Sequence, residues 1–163
     1  MPVLGDAEVD FALEPLSPGL WGEIEPLAHQ HWSEVAPYKD LALNPDFAAY
    51  DRVQSAGRLR IYTARVAGVL VGYLSAFLAT SMHYSPHRMA TVDAYFVAKC
   101  RRGTRIGVDL IRYAHSRMRK DDNVLYVIHS TKVDKGHNLG ALFDKFLGMK
   151  HIEALWYARL DGG

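Results

Sequence analysis

The stretch Val97-Ala98-Lys99-Cys100-Arg101-Arg102-Gly103-Thr104-Arg105-Ile106-Gly107 decides how this chain is read. An apolar run rich in β-branched and aromatic residues, Val92 to Val97, leads into it. An amphipathic run leaves it, in which Ile106, Leu110, Ala114 and Met118 recur every four residues with Ile111 beside them. That spacing describes one face of a helix. The stretch is therefore a strand-turn-helix junction carrying two glycines and four cationic side chains. Glycine lets backbone approach a ligand closely, and the first turn of a helix leaves N–H groups unpaired. Together with the helix dipole these donors favour an anion, most often phosphate. Lys99, Arg101, Arg102 and Arg105 add positive charge where that anion would sit. A glycine-containing turn on a solvated basic face also fits, since a single Gly-rich turn is a weak signal.

Outward from this junction the chain resolves into short elements. Val9 to Leu13 alternates and reads as a strand. Ser17 and Pro18 open a helix to about Glu34, with Leu20, Ile24, Leu27 and His31 along one side and Pro26 expected to weaken it. Asn44-Pro45-Asp46 signals a second helix start, closed by Gly57. Arg58 to Arg65 alternates, setting Leu59, Ile61 and Thr63 against Arg58, Arg60 and Tyr62; after Val66-Ala67-Gly68, Val69 to Ala79 completes a hairpin. A polar, aromatic loop over residues 80–88 precedes the strand Met89 to Val97. The central helix ends near Asn123. Val124 to Ile128 is a nearly continuous apolar run, as in a strand buried on both faces. A helix from about Asn138 to Leu147, closed by Gly148, and a last strand from Glu153 to Leu160 finish the order.

Composition narrows the class. At 163 residues the chain suits one domain with a real core, and its 49% hydrophobic and 23% charged residues are ordinary for a globular protein. No apolar run approaches the ~20 residues of a membrane span, and Met1 to Asp10 lacks the basic start of a secretory signal. The single cysteine, Cys100, excludes an internal disulfide and a cysteine-based zinc site. A cytoplasmic location is the simplest expectation. The net charge of +1 gives no field for nucleic acid, so that partner is not expected.

The junction resembles motif A of the GNAT acyl-CoA N-acyltransferase superfamily, which reads valine, any, proline, any, tyrosine, arginine, glycine, any, glycine, any, glycine. Aligned on Val97, the arginine falls on Arg102 and the outer glycines on Gly103 and Gly107. Lys99, Arg101 and Arg105 depart from it. A Cβ at Arg105 is expected to restrict the turn and crowd a pyrophosphate, while a basic side chain is added to the cradle. The resemblance spans roughly residues 59–160. It implies a mixed α/β (α+β) single-domain GNAT fold: a mostly antiparallel mixed sheet, flanked by helices, whose central strands splay around acyl-CoA. It implies acetyl-CoA as acyl donor, held by Phe96, Val97, Arg102, Gly103, Thr104, Arg105, Ile106 and Gly107, with Asn138 and Phe143 from the later helix. Asp144 stands where the family usually has the tyrosine that protonates the departing thiolate. A CoA thiol has a pKa near that of cysteine, so the thiolate can leave with little help.

The implied reaction is acetyl transfer to a primary amine by direct attack in a ternary complex. It needs a neutral amine, a polarised carbonyl and two reactants held together. Backbone N–H groups near Phe96 and Val97, freed by a bulge there, are expected to polarise the carbonyl. His129, at the exit of the buried strand, is the first candidate base, since a neutral histidine suits physiological pH. A histidine merely hydrogen-bonded at a strand end fits as well. Asp93, a carboxylate in an apolar strand, is the second; burial would raise its pKa, and an arginine partner would make it structural. His83 and Tyr84 stand in a loop where GNAT acceptors approach, and could bind the acceptor or relay protons; they also read as surface residues. Tyr38, Lys39 and Asp40 could line the acceptor pocket. His115 and His151 read as exposed positions. His29-Gln30-His31, and His83 with His87, have metal-site spacing without a convincing third ligand, so no metal is expected. The acceptor expected is a small-molecule or protein amine or a modified nucleobase, with nothing in the sequence deciding among them, and assembly as a homodimer stays open. The rival class is a non-catalytic GNAT-like domain that binds CoA or a protein, favoured by the absent tyrosine and by Arg105.

Overall fold

A computed structural model describes residues 8–132 and 139–161. The backbone divides into two units, residues 1–129 and 130–163.

The first unit is built on a five-stranded sheet in the order β1 (Val9–Leu13), β2 (Leu59–Val66), β3 (Val69–Thr80), β4 (Arg88–Val97), β5 (Val124–Ile128). Neighbours are antiparallel except β4 and β5, which run parallel. Ala67 and Gly68 both take positive φ, 50° and 78°, the hand of turn that joins twisted hairpin strands closely. The parallel pair needs a crossover, and α3 (Ile106–Asp122) supplies it.

Helices cover both faces of the sheet. On one lies α1 (Pro18–Val35), started by the Ser17 hydroxyl, which accepts the Leu20 N–H at 3.1 Å. Pro26 does not end it, because Leu20, Ile24 and Leu27 bury against Leu59, Ile61, Leu70, Tyr73 and Phe96. α2 (Phe47–Ser55) begins two residues later than the Asn44-Pro45 signal suggests. The Asp46 carboxylate accepts the Ala49 N–H at 2.9 Å and is the true cap, while Phe47 meets Trp21 edge-on at 4.8 Å. On the other face α3 buries Leu110, Ile111, Ala114 and Met118 completely. Because both faces are covered, Tyr62 is also fully buried rather than outward-facing, lying edge-on to Tyr113 at 6.1 Å.

α3 ends at Asn123, in the left-handed conformation at φ 53°. Asp122 beneath it is buried and pairs with Arg60 and, at 3.6 Å, with Arg88, so the helix end is tied to β2 and β4. β5 is not buried on both sides as its apolar run suggests. It is the end strand with one neighbour, and Leu125 is 50% exposed.

In the second unit, α4 (Leu139–Leu147) ends at Gly148, whose φ of 61° turns the chain so that the Met149 N–H reaches the Phe143 carbonyl at 3.0 Å. The strand expected from Glu153 to Leu160 does not form. A strand needs a ladder partner for its backbone groups, and the described residues of this unit contain no other strand. Its apolar side chains stay outside, with Trp156 at 93% exposure.

Candidate active site

β4 carries the site because its pairing changes twice along its length. Against β3, Ser75 opposes Ala94 and Ala76 opposes Val92, so Asp93 is an extra, bulged residue. Against β5, pairing stops at Thr91 opposite Ile128. From Val92 onward one edge of β4 is uncovered by β5, and that is the splay. The bulge lies at Asp93, earlier than the Phe96–Val97 position expected for it. Ala98 donates to the Val71 carbonyl at 2.8 Å on the β3 side. Alternation along the strand then sends the Phe96 N–H toward β3, and those of Tyr95 and Val97 toward the open edge.

Asp93 shares a sheet face with Tyr73, Ser75 and Phe77, the face covered by α1 and α2. Its Oδ2 accepts from the Tyr50 hydroxyl at 3.2 Å and from the Ser75 hydroxyl at 3.3 Å. The carboxylate still reaches solvent, yet the protein around it removes enough water to raise its pKa, partly offset by those two hydroxyls. Burial, with the Asp93 charge, pushes the Tyr50 phenol up to about 12. The hydroxyl therefore stays protonated and donates. No arginine or lysine pairs with Asp93 among the described residues; its partners are the Tyr50 and Ser75 hydroxyls.

The turn after β4 is more constrained than its basic sequence suggests. A single 3-10 turn, Lys99–Arg101, leads to Arg102. Arg102 Nε donates to the Val97 carbonyl at 3.0 Å, its outer nitrogen grips both Glu34 oxygens at 2.9 and 3.2 Å, and its guanidinium lies 5.0 Å from the Phe96 ring centre. Lys99 reaches the same Glu34 at 3.4 Å. Burial works against the Glu34 charge, but Arg102 and Lys99 more than offset it and hold the carboxyl below its usual range. Arg102 is thus a brace between α1 and the exit of β4. Arg105 is 81% exposed and 3.6 Å from Asp109. Its backbone, at φ −76°, is ordinary, so its Cβ does not restrict the turn as expected from the motif.

The glycines divide in role. Gly103 sits at φ 78°, and a Cβ added there would meet nothing within 4 Å, so its surroundings are open. A Cβ on Gly107 would instead lie 2.4 Å from the Tyr95 hydroxyl oxygen. That glycine makes room for a tyrosine. Thr104 donates to the Arg101 carbonyl at 2.7 Å and accepts the Ile106 N–H at 3.4 Å, and the Ile106 side chain is buried. The N–H groups of Gly103, Gly107 and Val108 find no protein acceptor among the described residues, so free donors line an open turn.

The two candidate bases are not brought together. His129 lies on the α3 face, with its Nε2 2.9 Å from the Nε2 of His115. Asp93 lies on the other. Burial lowers both imidazole pKa values, and His115 lowers His129 further, to about 4. His115, expected to be exposed, is half-buried because it flanks the apolar stripe of α3 beside Ala114. That flank position was a readable signal for it. Tyr50, Ser75 and Glu34 gave no comparable signal, since their roles come from packing between distant segments. His83 and Tyr84 sit before the start of β4, at the opposite end from the turn, with Tyr84 stacked edge-on to Tyr126 at 6.5 Å. Among the described residues, no hydrogen bond or ring contact joins His83 or Tyr84 to Asp93. Phe143 is buried in α4, and Asn138 lies outside the described residues.

A family model for the acetyltransferase (GNAT) family matches residues 21–149, most of the chain. The chain belongs to the GNAT acetyltransferase family. Solved GNAT-like structures give the same fold. An aminoglycoside acetyltransferase, meta-AAC0020, from an uncultured soil metagenomic sample in complex with sisomicin is 13% identical, covering 94% of this chain and 97% of that one at a TM-score of 0.74. The ribosomal-protein-alanine N-acetyltransferase of Brucella melitensis biovar Abortus 2308 is 19% identical, covering 94% and 99% at 0.69. AAC(6')-Iy in complex with the bisubstrate analogue CoA-S-monomethyl-acetylneamine is 16% identical, covering 94% and 98% at 0.68. No curated protein sequence matches the chain. Among the described residues no helix is long and apolar enough to cross a membrane, and no group of three or more His, Cys, Asp or Glu could hold a metal.

Proposed function

We propose that this GNAT protein is an acetyl-CoA-dependent N-acetyltransferase that acetylates a primary amine by direct attack in a ternary complex, with Asp93 as the base. The observation that carries the proposal is the bulge that turns Asp93 out of the β3–β4 ladder at the level where β4 and β5 part. The turn fits a pyrophosphate: Gly103 has open space around it, and the N–H groups of Gly103, Gly107 and Val108 are unspent. Bound acetyl-CoA supplies a thioester, the activated acyl group that the amine attacks. The outward N–H groups of Tyr95 and Val97 are the donors available to polarise a carbonyl. Arg102 and Glu34 hold that end of β4 in place. Asp93, its pKa raised by its surroundings, takes the proton from an arriving ammonium, while Tyr50 and Ser75 keep its second oxygen oriented.

Thiol release from acetyl-CoA with a panel of amines tests the reading. D93N is expected to lower kcat by about 10²–10⁴-fold, the usual scale for losing a general base, and to leave acetyl-CoA affinity within about twofold. The acid limb of the pH–rate profile, set by a carboxyl above the ordinary range, should vanish in the variant. A D93N enzyme with the wild-type rate and profile would remove Asp93 from the mechanism.

A further inference from the structure

The carboxylates on the α1–α2 side of the sheet differ in what holds them. Glu14 and Glu23 are gripped by Arg65 at 2.9 and 2.7 Å, and Glu34 by Arg102. Asp46 caps α2. Glu25 and Asp51 project from exposed positions of their helices. Among the described residues Asp93 is the one acidic side chain of β3 and β4, and it reaches solvent with neither a cation nor a cap, only its Oδ2 being used. Asp10, also exposed, stands on β1 at the far side of the sheet.

Its neighbours are rings. Tyr50 stacks on Phe77 at 6.0 Å and an interplanar angle of 25°. Tyr73 lies on the same face, close enough for the Asp93 charge to help raise its phenol pKa after burial has done most of it. Beyond it Phe96 tilts against Tyr73 at 6.5 Å and against His31 at 5.2 Å. A single unpaired carboxylate among aromatic faces suits one cation on an apolar stem, because rings attract both the ammonium and the carbon chain behind it. A polycation would require several free carboxylates at the same place, and β3 and β4 carry no acidic residue besides Asp93.

Resting on the transferase reading above, we propose that the acceptor is a monoamine whose primary ammonium sits on Asp93 and whose short stem carries an aromatic group against Tyr50 and Phe77. Tyr50 is then a specificity-determining residue through its ring, and its hydroxyl is secondary.

The probe is 2-phenylethylamine, compared with neamine and with an alanine-first peptide, using the full chain. Binding is measured by calorimetry with acetyl-CoA absent and present, and turnover by thiol release. Wild type should bind 2-phenylethylamine at least tenfold more tightly than neamine or the peptide. Binding should fall tenfold or more in D93N and in Y50A, and stay within about threefold in Y50F, which keeps the ring. Circular dichroism confirms that each variant is folded. If 2-phenylethylamine binds with this pattern but no thiol is released, the site still takes a monoamine on Asp93 but as a ligand, not an acceptor, and the transferase reading falls. If neamine or the peptide is turned over while 2-phenylethylamine is neither bound nor acetylated, the transferase reading stands and the monoamine assignment is overturned. If Y50F loses as much as Y50A, the ring is not the determinant and the aromatic part of the proposal fails.

Discussion

Gly107 offers the sharpest test of how the turn is built. In the motif reading the glycine is kept for a phosphate; in the structure it is kept for Tyr95. An alanine Cβ would lie 2.4 Å from the Tyr95 oxygen, roughly 1 Å inside ordinary contact, while the next atoms, Val97 Cγ2 at 3.6 Å and Tyr95 Cζ at 3.7 Å, are acceptable neighbours. Forcing such an overlap costs about 1–3 kcal/mol if the half-buried Tyr95 ring is held in place and less if it swings aside. Against this, alanine in a helix gains about 0.5–1 kcal/mol over glycine. G107A should therefore destabilise by up to about 2 kcal/mol, a fall in Tm of roughly 4–8 °C for a chain of this size. In a Y95F background the obstructing oxygen is gone, and the same substitution should stabilise by about 0.5–1 kcal/mol. The Tyr95 hydroxyl has no hydrogen-bond partner among the described residues, so Y95F alone should be close to neutral. Urea unfolding of the four proteins gives the interaction energy directly, expected at about 1–3 kcal/mol. Equal effects of G107A in both backgrounds would refute the steric argument. A stable G107A/Y95F protein that had lost acetyl-CoA binding would return Gly107 to the phosphate site.

Two further outcomes follow from the same geometry. His129 titrates near 4 in the fold against about 6.5 in an unfolded chain, so the unfolded state takes up its proton first as pH falls. Its contribution is fully present above about pH 6.5 and is lost between there and about 4. Tm against pH should fall through this window in wild type and more shallowly in H129Q; parallel curves would show that the pair carries no such linkage. R105A removes an exposed side chain with ordinary backbone angles, so Tm should hold while acetyl-CoA binding weakens a few-fold and loses part of its salt dependence. Unchanged affinity at low salt would show that Arg105 faces only Asp109.

Most of the fold follows from local signals in the sequence. The Ser17 cap, the Ala67-Gly68 turn, the four-residue stripe of α3 and the left-handed stops at Asn123 and Gly148 are chemistry of near neighbours, and each lies where the residues put it. The strand-turn-helix junction at 97–107 and the family it implies were legible for the same reason. Tertiary structure alone decided which side chains meet. A strand alternates, but alternation does not say where a bulge falls, and the bulge at Asp93 puts that carboxylate on the α1–α2 face while His129 faces α3. Nor can a sequence tell whether a basic residue in a turn is spent. Glu34, 68 residues before Arg102, makes that arginine a brace. The segment from Glu153 to Leu160 has a strand's residues and no strand, because a strand is a property of two backbones and the described residues of its own unit contain no partner. What the chain prefers locally is written in its order; what a carboxylate, a guanidinium or a strand edge finds opposite it is fixed only when distant segments pack.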